Sequence, residues 1–183
     1  MYPCDPFCLN VPMRYKSKGI DLSTQPPLSK AQRQVITTFY RTITNHDPDL
    51  LDQVVNPHWE NTPLFPGQRA GPEGFKNIIR QFIISFPDAQ ISLLGMYCYK
   101  GRAKVHAKML FTHENDFMGL APTGLKTSII MEELHTIENG KISFTYHLED
   151  WYSLIKTTGS AAIRIPPKGK KRGRYPGKDR SII

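Results

Sequence analysis

The sequence predicts an α+β domain in which helices pack on one face of an antiparallel sheet. Two observations lead to this class. Apolar residues recur at three- and four-residue spacing up to Pro87, and after Pro87 they alternate with polar residues. Helical spacing places apolar side chains along one side of a helix, whereas alternation places them on one face of a strand. Helices followed by consecutive strands are typical of α+β domains.

The first half of the chain predicts three helical segments. Ser29 is a suitable N-cap for a helix over about residues 30–45. Asp47 and Pro48 are suited to begin a second, short helix. A third helix is predicted over GPEGFKNIIRQFIISFPD, where Pro87 ends it because proline cannot continue a helix. The segment NPHWENTPLFPGQRAG has no steady period and is expected to be irregular.

The second half predicts four strands joined as a meander. The turn KGR separates QISLLGMYCY from AKVHAKMLFTH, and the turn ENG separates KTSIIMEELHTI from KISFTYHLEDWYSL. Asn-Gly between two β-rich runs is a strong hairpin signal. A two-residue turn at Asn139 and Gly140 pairs Ile137 with Ile142, and the same register continues until Asp150 pairs with Ile129.

Ionisable residues fall on the face of this sheet that the apolar pattern assigns to the interior. In the last strand that face consists of Ile142, Phe144, Tyr146, Leu148 and Asp150. The predicted register adds Glu133 and His135 from the preceding strand, and the interior face of the strand before it ends in His113. Buried ionisable groups are paired, are shifted in pKa or line a cavity. The pattern is therefore typical of an apolar pocket for a small molecule. For any single residue a rim position or a satisfied core hydrogen bond is the better explanation, and the pocket rests on the set as a whole. A β-bulge would reverse the pattern.

The basic charge of the chain lies almost entirely in its last residues. The net charge is +8, of which +7 comes from Arg164 onward and +1 from the first 163 residues. We therefore expect a basic, disordered tail over residues 161–183, either solvated or in contact with nucleic acid, anionic lipid or an import receptor. The nearly neutral body argues against a nucleic-acid-binding domain.

Other sequence features restrict the location of the protein and its metal chemistry. No apolar run approaches the ~18 residues of a membrane helix, and the expected N-terminal arm, residues 1–28, lacks the pattern of a signal peptide. We expect a cytoplasmic protein, with nuclear entry through the basic tail as the alternative. Cys4, Cys8 and Cys98 do not form a disulfide framework, and no second Cys/His pair completes a zinc site.

Three stretches, in order, resemble the SnoaL-like polyketide cyclase group of the nuclear transport factor 2-like superfamily. They are GPEGFKNIIRQFIISFPD, FTHENDFMGLAPTG and IENGKISFTYHLEDWYSLI. The resemblance covers roughly residues 30–158, within an expected domain of residues 29–160. It implies a cone-shaped fold, in which a curved antiparallel sheet wraps around the N-terminal helices and leaves a deep pocket.

The resemblance also implies an activity and a site. Family cyclases use no metal or organic cofactor and catalyse an intramolecular aldol ring closure, with an aspartate as general acid/base. That aspartate matches Asp150, and the family's Thr-His pair matches Thr112 and His113. The implied substrate is a hydrophobic, polyketide-like carbonyl compound of secondary metabolism, and the implied assembly is a homo-oligomer, a dimer or larger. The alternative is a non-catalytic module of the same fold that binds a small molecule or forms a dimer.

The sequence departs from the family pattern at three places. Tyr146 replaces the tryptophan four residues before the aspartate, Phe111 replaces the glycine before Thr-His, and Glu60 replaces the histidine of the His-Asn-Pro segment. Together with Glu133 and His135, we expect Tyr146 and Glu60 to be catalytic or polar pocket residues. Four residues are assigned to the pocket walls, with core packing as the alternative: Trp59, Phe65, Phe117 and Met118. The segment ENDFMGLAPTG is expected to be a lid or a subunit contact.

Overall fold

The computed structural model describes residues 26–158, which form four α-helices and five strands. The helices are α1 (Lys30–Thr44), α2 (Leu51–Val54), α3 (Pro72–Ser85) and α4 (Trp151–Thr158), and a 3-10 turn, Pro48–Leu50, leads into α2. The strands are β1 (Val55–Thr62), β2 (Gln90–Tyr99), β3 (Arg102–Thr112), β4 (Lys126–Glu138) and β5 (Lys141–Glu149). The predicted basic tail and residues 1–25 of the predicted arm lie outside the described residues.

The helix predictions for the first half of the chain are confirmed. Ser29 caps α1 through a capping box, in which its Oγ accepts from the Gln32 amide at 3.1 Å and Gln32 Oε1 accepts from the Ser29 amide at 2.9 Å. Asp47 accepts from the Asp49 amide at the start of the 3-10 turn. The helix α3 ends at Ser85, two residues before Pro87.

The sheet has the order β1-β5-β4-β3-β2 and is curved but not closed. The predicted meander, β2 to β5, is antiparallel, whereas β1 joins its edge parallel to β5. The expectation that residues around Trp59 are irregular is therefore wrong. Pro57 and the polar neighbours of Trp59 are not typical of a strand, which is why the sequence did not predict one here. Proline is nevertheless tolerated at a sheet edge. The β1–β5 register is also interrupted between Val55 and Glu60.

The last predicted strand is too long. It ends at Glu149, and α4 begins at Trp151, so that the last four residues of KISFTYHLEDWYSL form a helix instead of a strand. The turn at its other end agrees with the prediction, since Asn139 and Gly140 both have positive φ, at 50° and 77°.

A β-bulge in β5 reverses the predicted face of that strand. The pairs next to the turn are as predicted, with Ile137 opposite Ile142, but Thr136 lies opposite Phe144, so that Ser143 is an extra residue. Beyond the bulge the face that points inward carries Thr145, His147 and Glu149, while Tyr146 and Leu148 are exposed. The prediction that Asp150 ends the interior face is therefore wrong, and the Asp150 side chain is exposed.

The core lies between the inner face of the sheet and the helices α1 and α3. Aromatic rings dominate the contact: Phe39 of α1 stacks on Phe75 of α3 at 6.0 Å and meets Trp59 of β1 edge-on at the same distance. Fully buried Phe86 lies 4.3 Å from Phe111, between ring centroids. Between residues 26 and 158, no helix combines the length and the apolar character required to cross a bilayer.

Candidate functional site

A small cavity lies between α1, α3 and the inner face of the sheet. The space within it is about 30 Å³, enough for one or two water molecules. This cavity is far smaller than the deep pocket that the resemblance implies. The walls are mainly aromatic and apolar, and the polar side chains among them are Tyr40, Thr42, Asn61, Glu133, Thr145, His147 and Glu149.

Glu133 is the most strongly perturbed acid of the cavity. β4 directs its side chain inward, where only 4% of the residue is exposed. Burial raises the pKa of Glu133 to about 8, with a further increase from the negative charge of Glu149. His147, a hydrogen bond from Tyr40 and the charge of Lys104 act in the opposite direction. Glu133 is therefore largely protonated at neutral pH and becomes a base slightly above it.

A chain of buried hydrogen bonds adjoins Glu133. Tyr40 Oη lies 3.2 Å from His135 Nε2, and His135 Nδ1 lies 3.0 Å from Thr145 Oγ1. Trp59 Nε1 donates to the same Thr145 oxygen at 3.0 Å. Burial lowers the pKa of His135 to about 3, so its imidazole is neutral. Burial, followed by the charge and hydrogen bond of Glu133, raises the pKa of Tyr40 well above its ordinary value.

A second polar group of the cavity joins β5 to β1. His147 Nδ1 lies 2.7 Å from Glu149 Oε1, and His147 Nε2 lies 3.3 Å from Asn61 Nδ2. Burial alone would lower the pKa of His147, but the hydrogen bond and charge of Glu149, with the charge of Glu133 and the Pro63 carbonyl, outweigh it and raise the pKa. The carboxyl groups of Glu149 and Glu133 thus favour the protonated form of His147.

Five of the six predicted catalytic or polar residues lie outside the cavity lining, and of these His135 is hydrogen-bonded to two lining residues, Tyr40 and Thr145. Asp150 and Glu60 are exposed, and Tyr146 is 42% exposed on the outer face of the sheet because of the bulge. His113 is fully buried, but its ring packs against Phe86, 5.6 Å between centroids, and its Nε2 has no hydrogen-bond partner among the described residues. Burial lowers the pKa of His113.

The predicted wall residues divide into two groups. Trp59 and Phe65 line the cavity. Phe117 is buried against the rings of α3 and α4, whereas Met118 is exposed. The segment that contains Phe117 and Met118 is hydrogen-bonded to the end of α3. Asn115 donates to the Ile84 carbonyl at 2.8 Å, and Ser85 donates to the Asp116 carbonyl at 2.8 Å.

Sequence reasoning missed most of the polar groups that meet at this cavity. Tyr40 and Asn61 gave no signal, because an aromatic residue on a helix face looks like core and β1 was not predicted. Thr145, His147 and Glu149 were assigned to the outer face, because alternation without a bulge requires it. The burial pattern shows the bulge at Ile142 and Thr145. Both residues are buried although they lie three positions apart, and in a regular strand they would point to opposite faces.

The described residues offer no ready metal centre, since no three His, Cys, Asp or Glu side chains among residues 26–158 converge closely enough to hold an ion. Cys98 is buried with a free thiol, whereas Cys4 and Cys8 lie outside the described residues. What converges instead is a pair of carboxyl groups, Glu133 and Glu149, with the imidazoles of His135 and His147 beside them.

The fold and the cavity define an α+β domain in which a curved sheet holds buried acids against its helices. The SnoaL-like polyketide cyclase family matches residues 34–157, and the chain belongs to that family. A comparison with curated proteins found no match.

Solved structures of the same fold share little sequence with this chain. TsrD from Streptomyces laurentii superposes with a TM-score of 0.67 at 19% identity, covering 73% of this chain and 98% of TsrD. A putative polyketide cyclase from Bacillus cereus gives a TM-score of 0.62 at 20% identity, covering 75% of this chain and 87% of that protein. IdmH, a putative polyketide cyclase from Streptomyces antibioticus, gives 0.58 at 18% identity, covering 68% and 95%. These similarities establish the fold.

Proposed function

We propose that this protein is a cofactor-independent cyclase or isomerase that acts on a hydrophobic, enolisable carbonyl compound, with Glu133 as its general base. The observation that carries the proposal is the position of Glu133, a carboxyl group held in an aromatic-lined cavity, with a pKa of about 8. A general base is most effective when its pKa lies near the working pH.

The proposed first step is removal of a proton from the carbon next to a carbonyl group. Glu133 takes that proton and leaves an enolate, whose oxygen requires a hydrogen-bond donor. Tyr40 supports this role because it lines the same cavity, contacts Glu133 and has a raised pKa that keeps its hydroxyl protonated. For a cyclase, the enolate carbon then attacks a second carbonyl carbon of the same molecule, and the new alkoxide takes up the proton from Glu133.

The family supports a cyclase, and the size of the cavity limits how a substrate enters. A space of about 30 Å³ is too small for a ring-forming substrate, since ligand sites usually measure ~300–1,000 Å³. Binding must therefore displace wall side chains. The candidates are Phe65, which follows β1, and Trp151, which begins α4, since both line the cavity and their ring centroids lie 6.5 Å apart.

A non-catalytic module of the same fold is the second candidate. It is favoured by the small cavity and by exposed apolar side chains on the outer face of the sheet, where Leu110, Ile130 and Leu148 are 41%, 38% and 52% exposed. Such a module would use that face to bind a partner.

The deciding experiment measures exchange of the α-hydrogens of benzoylacetone in deuterium oxide by NMR. Glu133→Gln should lower the enzyme-catalysed exchange rate by ~10²–10⁴-fold. Asp150→Asn provides the matched comparison, because the resemblance assigned the base to Asp150. Loss of exchange in Asp150→Asn alone would return the base to that residue, and no exchange above background with several such diketones would favour the non-catalytic module.

A further inference from the structure

The hydrogen bonds behind Glu133 run in one direction because one end of the chain can only donate. The indole Nε1 of Trp59 has a proton and no lone pair to offer, so its bond of 3.0 Å to Thr145 uses the hydroxyl oxygen as acceptor. The hydroxyl keeps its own proton, and if that proton is donated to His135 Nδ1, 3.0 Å away, the same direction continues to the imidazole.

This direction fixes the tautomer of His135. An Nδ1 that accepts from Thr145 has no proton, so a neutral His135 carries its proton on Nε2. That Nε2 lies 3.2 Å from Tyr40 Oη and 3.4 Å from Glu133 Oε2. Only the contact with Tyr40 has hydrogen-bond geometry, so the N–H can donate to Tyr40 Oη, and the Tyr40 hydroxyl donates in turn to Glu133.

We propose that Thr145 is a positioning residue, which holds His135 in the Nε2–H tautomer and thereby directs a one-way hydrogen-bond chain from Trp59 onto the carboxylate of Glu133. The alternative tautomer would present the Nε2 lone pair to the carboxylate oxygen, which is repulsive. Every polar atom of the chain finds a partner in the first arrangement, with Glu133 ionised. In the second, the Thr145 proton needs a different acceptor.

The other charged groups that face Glu133 do not replace this chain. Glu149 of β5 opposes the ionised state, whereas His147 of β5 and Lys104 of β3 favour it. Among the described residues, none of these three groups forms a hydrogen bond with Thr145 or His135. The hydrogen-bond chain from Trp59 therefore stabilises the ionised form of Glu133 with neutral, buried donors. It opposes the effect of burial, which raises the pKa of Glu133.

The inference rests on the proposed function only where Thr145 is given a role in turnover. The charge state of Glu133 itself is measured without substrate. The protein is labelled with 13C at glutamate carboxyl carbons and titrated by NMR, and Glu133→Gln identifies the signal. Thr145→Val removes the hydroxyl at nearly constant volume and should raise the titration midpoint of Glu133 by about one pH unit. Thr145→Ser retains the hydroxyl and should restore the wild-type midpoint.

An unchanged midpoint in Thr145→Val would overturn the inference, as would equal shifts in the valine and serine variants. If the valine variant does not fold, the wild-type protein still decides the question. 15N chemical shifts report the tautomer of His135 directly, and above the Glu133 midpoint they should show Nε2–H. An Nδ1–H signal there would contradict the proposed direction. If the protein catalyses no reaction of carbonyl compounds, the proposed function is wrong. The measurements on Glu133 and His135 would still decide the present inference.

Discussion

Glu133 Oε2 and His135 Nε2 lie 3.4 Å apart inside the domain, yet they do not form an ion pair near neutral pH. The two residues are neighbours on the inner face of β4, since alternate residues of a strand share a face. Burial shifts their pKa values in opposite directions, to about 8 for Glu133 and about 3 for His135. Both are therefore neutral between about pH 3 and pH 8, so that a carboxylic acid lies beside a neutral imidazole.

The first prediction concerns the stability of the protein as the pH rises. Between about pH 4.5 and 8 the unfolded chain has released the Glu133 proton while the folded protein still holds it. The free energy of unfolding should therefore fall with pH across this window and level off above it. Glu133→Gln should abolish the loss of stability that comes from Glu133. At pH 9 this loss amounts to a free energy of unfolding on the order of a few kcal/mol. Urea unfolding of both proteins at several pH values measures it.

His135 provides an internal check on that experiment, since its contribution has the opposite sign. Below pH 6.5 the unfolded chain takes up a proton on His135, whereas the folded protein does not until about pH 3. Stability should thus be lost as the pH falls through this range, in wild type and Glu133→Gln alike. Parallel stability curves for the two proteins from pH 6 to 9 would contradict the assignment of a raised pKa to Glu133.

The second prediction concerns activity. If Glu133 is the base, kcat/KM for α-hydrogen exchange should rise tenfold per pH unit and reach a plateau above about pH 8. Tyr40 stays protonated throughout, because its pKa lies well above the ordinary value. The measurement is a pH–rate profile in deuterium oxide, corrected for the solvent isotope effect. A midpoint near ~4, the ordinary value of an exposed carboxyl group, would instead implicate an acid outside the cavity.

Much of the fold follows from the periodic pattern, but the site depends on one residue that breaks it. The helices α1 and α3 and the four-strand meander follow from spacing, caps and the Asn-Gly turn. Ser143 is the extra residue of the bulge, and nothing in its chemistry distinguishes it from a regular strand residue. Because alternation has a period of two, this single residue transfers His147 and Glu149 to the interior and Asp150 away from it.

The edge strand was missed for a related reason. Its pairing with β5 connects residues more than 80 positions apart, so no local pattern reports it. Pro57 and Asn56 are typical of loops, and only tertiary contact makes the segment a strand. The same limit applies to Tyr40, whose role depends on contact with His135, 95 residues away. The family resemblance identified the fold but transferred the acid to a position that this chain leaves exposed.

The third prediction tests the bulge through two leucine-sized residues of β5. Ile142 is fully buried before the bulge, whereas Leu148 is 52% exposed beyond it. A regular strand would place both on the same face. Ile142→Ala should cost about 2–5 kcal/mol of the free energy of unfolding, and Leu148→Ala less than about 0.5 kcal/mol. Chemical denaturation measures both changes, and similar large losses in the two variants would restore the unbroken register.

The fourth prediction explains the second glycine of the GPEGF motif at the start of α3. A Cβ added at Gly74 would lie 1.7 Å from the carbonyl oxygen of Arg69, which is backbone and cannot turn aside. Gly74→Ala should therefore destabilise the protein by at least ~1–3 kcal/mol, the usual cost of overpacking, although alanine favours helices elsewhere. Gly95 is the matched control, because a Cβ there meets nothing closer than 3.9 Å, a side-chain carbon of His106. Equal thermal unfolding midpoints for Gly74→Ala and Gly95→Ala would show that the backbone at Arg69 moves to accept the added Cβ. Close approach of that loop would then not be the reason for glycine at position 74.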